Sequence, residues 1–144
     1  MNSADAIIAN LTPFRGIGAD TGTCFELGYM CALGKAAFAY TNVNADNGAR
    51  TRRLFAGRVT RDSEGVERGP DGTLIESIGF ADNLMLHGGV LNRGGVVVVG
   101  DAAENELYTD MEAFKSVLAV AAGRGKSPQP CGHRGEGPWL DARG

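Results

Sequence analysis

Asp5-Ala-Ile-Ile-Ala-Asn-Leu11, Thr12-Pro-Phe-Arg-Gly16 and Asp20-Thr-Gly-Thr-Cys-Phe-Glu26-Leu-Gly-Tyr29 follow one another near the start of the chain, and their order decides the fold. The first is a short apolar run of the kind that fits a strand buried on both faces. The second carries proline and glycine and breaks regular structure. The third turns from loop into helix, over residues 21–33, and Gly34 stops it. Lys35-Ala-Ala-Phe-Ala-Tyr40 then reads as a second strand. Together these make a βαβ unit. In such units the strands run parallel and ligands bind outside their carboxyl ends, which places the 12–20 loop and the head of the helix at the active edge.

Two acids sit at that edge. Asp20 precedes the helix and Glu26 lies six residues further on, while glycines at 16, 18 and 22 and the short Thr21 and Thr23 keep the entrance open. Each acid also has a simpler reading. An Asp before a helix is commonly an N-cap, and a Glu in an early turn is commonly a solvated residue favoured by the helix dipole. Gly16-x-Gly18 with Thr21 lacks the third glycine of a dinucleotide fingerprint, and a proline-containing loop separates it from the strand. No phosphate-binding P-loop sequence occurs.

Outward from this unit the pattern weakens. Beyond Tyr40 the chain reads as irregular, with Asn42, Asn44, Asn47 and Gly48 ahead of a basic cluster of Arg50, Arg52, Arg53, Arg58 and Arg61 that reads as a solvated loop. Pro70-Asp71-Gly72 is a turn between two moderately strand-like flanks, Arg58-Val-Thr-Arg61 and Thr73-Leu-Ile-Glu76, which form either a hairpin or a long loop. Val96-Val-Val-Val99 reads as a core strand. Thr109-Asp-Met-Glu112 reads as a capping box opening a helix with Met111, Phe114, Leu118 and Ala121 on one face, ended by Gly123. The expected organisation is one domain over 1–122, followed by a flexible Gly/Pro-rich tail over 123–144 in which Trp139 and Leu140 are the sticky element.

Composition bounds the function. A chain of 144 residues with 43% hydrophobic residues suits a single domain with a core of ordinary size. No apolar stretch reaches the roughly 20 residues a transmembrane helix needs, and the amino terminus carries no basic region followed by an apolar core, so a cytoplasmic location is expected. A net charge of −3 argues against a nucleic-acid partner despite the local arginines. Cys24 and Cys31 are seven residues apart on one helix, about 10 Å along its axis, which is too far for a disulfide. Cys131 and His133 make a poor zinc signal without a second pair.

At the level of motifs the chain resembles the nucleoside 2-deoxyribosyltransferases. The resemblance rests on Ala4-Asp5-Ala6-Ile7-Ile8-Ala9-Asn10-Leu11-Thr12-Pro13-Phe14-Arg15-Gly16, Asp20-x-Gly22-Thr23-x-x-Glu26-x-Gly28, Gly34-Lys35 and Gly79-Phe80-x-Asp82-Asn83-Leu84-Met85-Leu86, in that order. It is strongest over 4–40, with a second patch over 79–90. It implies an α/β, flavodoxin-like parallel sheet with helices on both faces.

The resemblance also implies a chemistry. Exchanging the base of a deoxyribonucleoside with retention needs a carboxylate nucleophile at the anomeric carbon and an acid that protonates the departing base and deprotonates the incoming one. Glu26 matches the nucleophile and Asp20 the second acid. By analogy with retaining glycosidases the two carboxyls should be about 5–5.5 Å apart. Phe14, Arg15, Gly16, Gly22 and Thr23 match substrate-binding positions, as do Asn83 and Met85. Asn83 would hold the sugar's 5′-hydroxyl in a neighbouring subunit's site, because an amide donates and accepts at once. The alternative reading of Asn83 is a helix cap whose following Leu84, Met85 and Leu86 pack inward. The implied partners are deoxynucleosides, free nucleobases and further copies of the chain. The reaction needs no metal and no cofactor.

The chain departs from the family at its start. A first strand bearing a Tyr-x-Ala-Gly-Pro type motif is expected before Met1, and neither Tyr29 nor Tyr40 takes its place. Two rival readings stand beside transfer. One is N-glycosidic hydrolysis of deoxynucleosides or their 5′-monophosphates, and Asp20 disfavours the monophosphates by charge repulsion. The other is a catalytically impaired nucleoside-binding or assembly module.

Overall fold

In the computed structural model, which describes residues 1–124, β1 (Ala6–Asn10), α1 (Thr21–Ala32) and β2 (Ala36–Thr41) form the expected unit. β1 and β2 run parallel, with Ala6 beside Ala36 and Asn10 beside Tyr40. Gly34 ends α1 as expected: its φ of 74° lies in the left-handed region, and its N–H donates to the Cys31 carbonyl. β5 (Val97–Val99) pairs in parallel with the other side of β2, giving the order β1-β2-β5. The result is a three-stranded parallel sheet of α/β type.

Alternation along the central strand decides which helix covers which face. Ala37 and Ala39 are buried with Leu27 of α1 and with Leu86 and Val90 of α3 (Leu84–Asn92). Phe38 and Tyr40 point the other way. Tyr40 meets Phe114 of α4 (Glu112–Arg124) edge-on at 5.7 Å, and the Arg124 guanidinium lies 5.9 Å from the Phe38 ring centre. Helices α1 and α3 therefore share one face and α4 takes the other. Burying a side chain such as Leu27 or Val90 stabilises the fold by roughly 1.5–3 kcal/mol. Just before β5 the chain approaches β2 so closely that a Cβ on Gly95 would fall 1.7 Å from the Ala37 carbonyl oxygen.

Several expectations are corrected. Among the described residues only β2 is buried as a core strand. β1 and β5 each have one strand neighbour among the described residues and are half-buried, with Val99 exposed. The stretch after Tyr40 is not irregular throughout, because Asp46 caps a helix, α2 (Asn47–Leu54), by accepting the Ala49 N–H at 2.6 Å. Arg50 of α2 is buried rather than solvated.

The hairpin pairs different flanks from those expected. β3 (Thr60–Arg61) lies antiparallel to β4 (Glu67–Arg68), and Pro70-Asp71-Gly72 turns the chain so that Leu74 bridges back to Arg68. Arg52 and Arg61 both pair with Glu67, at 2.5 and 2.8 Å, and hold this hairpin to α2.

At the head of α4 the Asp110 carboxylate accepts the Glu112 N–H at 2.8 Å, whereas the Thr109 hydroxyl, expected to cap the helix, donates back to the Glu106 carbonyl. The buried face is Ala113 and Val117, with Phe114 and Ala121 half-buried and Met111 and Leu118 exposed. Gly123 does not end the helix, which reaches Arg124. The tail expected after Gly123, with Cys131, His133, Trp139 and Leu140, lies outside the described residues from 125 onward. No helix among the described residues is long and apolar enough to cross a membrane.

Candidate active site

The carboxyl end of β1 leads through Thr12, buried with its Oγ1 accepting the Asn42 N–H at 3.0 Å, into the loop that holds most of the candidate residues. Phe14 is exposed there and meets Tyr108 edge-on at 6.1 Å, while the Tyr108 hydroxyl donates to the Pro13 carbonyl at 2.6 Å. Arg15 lays its guanidinium 4.9 Å from the Phe14 ring centre and takes a φ of 55°, which a non-glycine residue seldom adopts. Gly16 is exposed with open space around it. Tyr108 was not among the expected residues, and no local signal marks it: it is 95 residues from Pro13 in sequence.

Asp20 is the N-cap of α1. Its Oδ2 accepts the Gly22 N–H at 2.9 Å and the Thr23 N–H at 3.3 Å. The capping reading of Asp20 is therefore correct as geometry, and it occupies one oxygen only; Oδ1 accepts no hydrogen bond from the described residues. Thr23 and Gly22 serve the cap through their backbone. Glu26 projects from the second turn of α1 and is exposed. Both acids thus sit on the first turns of one helix, at the carboxyl edge of a parallel sheet. Cys24 lies between them, and burial, then the charges of Asp82 and Asp20, push its thiol up, which disfavours the thiolate.

Asn83 caps α3 as Asp20 caps α1, its Oδ1 accepting the Met85 and Leu86 N–H groups at 3.0 and 3.2 Å. Leu86 is buried, but Leu84 and Met85 are exposed, Met85 by 80%, so the three do not all pack inward. The residues just before the two caps are joined. The Ala19 N–H donates to Oδ2 of Asp82 at 2.9 Å, which brings the heads of α1 and α3 together within one chain. Asp82 is also 3.6 Å from the Arg50 guanidinium. His87 stacks on Phe80 at 4.1 Å and accepts the Ala81 N–H through Nδ1; burial pushes its imidazole down, which keeps that acceptor unprotonated.

A separate open depression of about 650 Å³ lies at the carboxyl ends of β2 and β5, lined by Asn42, Asn44, Arg53, Asp101 and Glu104. Neither candidate acid lines it. Among the described residues no group of three or more His, Cys, Asp or Glu side chains converges to hold a metal.

Comparison with known proteins gives the same direction. A sequence profile described as nucleoside 2-deoxyribosyltransferase matches residues 1–85. An uncharacterised protein of Schizosaccharomyces pombe is 30% identical, over 86% of this chain and 60% of its own length. The structure of a 2-deoxyribosyltransferase from Leishmania mexicana aligns with a TM-score of 0.53 and 29% identity, over 84% of this chain and 59% of that one. The chain thus spans about three fifths of the length of either relative.

Proposed function

Since the chain belongs to the nucleoside 2-deoxyribosyltransferase family, we propose that it moves a 2-deoxyribosyl group between nucleobases through a covalent intermediate on Glu26. The observation that carries this reading is the pairing of a half-buried, capping Asp20 with an exposed Glu26 on the head of α1. In the first half-reaction a Glu26 carboxylate oxygen bonds to the anomeric carbon as the bond to the base nitrogen breaks, and the carboxyl of Asp20 gives the departing base its proton. In the second, an incoming base attacks the same carbon from the face the first base left, Asp20 takes its proton, and the ester to Glu26 breaks. Two inversions give net retention.

The remaining residues supply the setting. Phe14 and Arg15 offer an aromatic ring and a cation on the loop that leads to Asp20, suited to a flat, polar base. Met85 projects an apolar side chain from the head of α3, and Asn83, whose Oδ1 is taken up by the cap, offers its Nδ2 donors to a sugar hydroxyl. A site shared between copies would bring Asn83 and Met85 of one subunit to the acids of another.

Hydrolysis is the second reading, and the exposure of Glu26 favours it, because water reaches an uncovered intermediate. One experiment separates the two. Deoxyinosine is incubated with and without adenine and the products are separated by chromatography. Transfer gives deoxyadenosine and hypoxanthine only with adenine present. Hydrolysis gives hypoxanthine and free deoxyribose in both. No free base from deoxyinosine, nor from thymidine in a parallel pair of incubations with and without cytosine, would remove the enzymatic reading.

A further inference from the structure

We infer that Asp82 and Arg50 form a buried clamp that positions Asp20 for proton transfer, an inference that rests on the acid–base role proposed for Asp20. Asp82 is 1% exposed and Arg50 8%. Oδ2 of Asp82 accepts the Ala19 N–H at 2.9 Å and faces Arg50 at 3.6 Å, and its Oδ1 accepts the Asn83 N–H at 2.7 Å. Arg50 donates through Nε to the Ile17 carbonyl at 2.8 Å, through Nη1 to Ala45 at 2.6 Å and through Nη2 to Ala81 at 2.8 Å. The loop before Asp20 is therefore gripped at residues 17 and 19 by two groups of opposite charge that also grip each other. Nearly every contact runs to backbone.

The choice of a buried ion pair is informative. Well-packed apolar side chains of similar volume commonly stabilise a fold as well or better, so stability alone is a weak reason for this pair. What charge-assisted bonds to backbone add is direction. With Ile17 and Ala19 fixed, the chain enters Asp20 at one angle. With Oδ2 of Asp20 tied to the helix head, that angle sets where Oδ1 points. Asp82 carries the same constraint to Asn83, so one carboxylate fixes the backbone at both helix caps. Asp82 and Arg50 are positioning residues that act through Asp20.

The test uses Asp82→Asn, Arg50→Lys and the apolar double variant Arg50→Met with Asp82→Leu, each in the full chain. Amide hydrogen exchange should quicken in peptides covering 17–20 in Asp82→Asn and Arg50→Lys, with β2 still protected. Base exchange on natural deoxynucleosides should lose about 100-fold in kcat with KM within about 2-fold. A deoxyriboside with a phenolate leaving group, which needs no proton from Asp20, should lose far less. The apolar double variant should recover the wild-type thermal midpoint and remain slow. Equal losses on both substrates, a fast double variant, or unchanged exchange at 17–20 would each overturn the clamp. If the wild-type protein exchanges no bases, the functional reading fails by itself, and the hydrogen-exchange comparison still decides whether the pair fixes the loop.

Discussion

A Cβ added to Gly22 would lie 2.9 Å from Oδ2 of Asp20, the oxygen that accepts the Gly22 N–H. The glycine is there to admit the carboxylate. Its φ is not left-handed, so the requirement is space beside the cap rather than backbone freedom.

Gly22→Ala should therefore separate activity from stability. Alanine gains about 1 kcal/mol of helix propensity over glycine, and a disturbed cap loses about the same, so the thermal midpoint should barely move. Asp20 must shift, however, and base exchange should slow by about 10-fold or more. Calorimetry and initial rates on one preparation check this. A variant with full activity would mean that the position of Asp20 is unimportant.

Asp20→Asn keeps a good N-cap and removes the proton. Natural deoxynucleosides should react about 10²–10⁴-fold more slowly, while a deoxyriboside with a phenolate leaving group should be nearly unaffected. Rates compared across the two substrates decide it. Equal losses would reduce Asp20 to its structural role.

The βαβ unit was legible because its signals are local: an apolar run, a proline break, a cap and Gly34 all fall within 40 residues. The helix α2 was not, because Asn47-Gly-Ala-Arg50 carries almost no apolar pattern and is held through Arg50 and Thr51 by tertiary contacts. The face of α4 was misjudged for a packing reason. Gly100 brings the backbone so close that its Cβ would lie 3.1 Å from that of Ala113, which leaves room for small residues on the inner face and turns Met111 and Leu118 outward. At the candidate site, the caps at Asp20 and Asn83 were readable from their positions before the helices, whereas the catalytic reading of Asp20 and Glu26 came from the resemblance. The coupling of the two caps was not readable, since Ala19 and Asp82 are 63 residues apart and Arg50 looked like one of several loop arginines.

A shared site predicts complementation. Glu26→Gln and Asn83→Ser subunits, each inactive alone, should regain part of the activity when mixed, because some sites then combine an intact Glu26 with an intact Asn83. Serine keeps the α3 cap, so loss of fold does not confuse the result. Ultracentrifugation that finds only monomer would contradict the shared site.

Glu67 ties the hairpin to α2, and its titration reads that tie. Hydrogen bonds from Arg61, then Arg52 and Ser77, hold its carboxyl down to about 2, from an ordinary value of 4.5. The folded value is the lower one, so the contribution to stability is present above the ordinary value and is lost as pH falls through about 2. The NMR titration of the Glu67 carboxyl should have its midpoint near 2, and a midpoint near 4.5 would mean the network does not form in solution.

Transfer through Glu26 requires a covalent deoxyribosyl group on that residue. Intact-protein and peptide mass spectrometry, after mixing with a 2′-fluoro deoxynucleoside that slows breakdown of the intermediate, tests it most directly. One added fluorodeoxyribosyl group is expected, mapped to Glu26, and none in Glu26→Gln. An adduct on another residue, or base exchange surviving in Glu26→Gln at more than about a tenth of the wild-type rate, would contradict it.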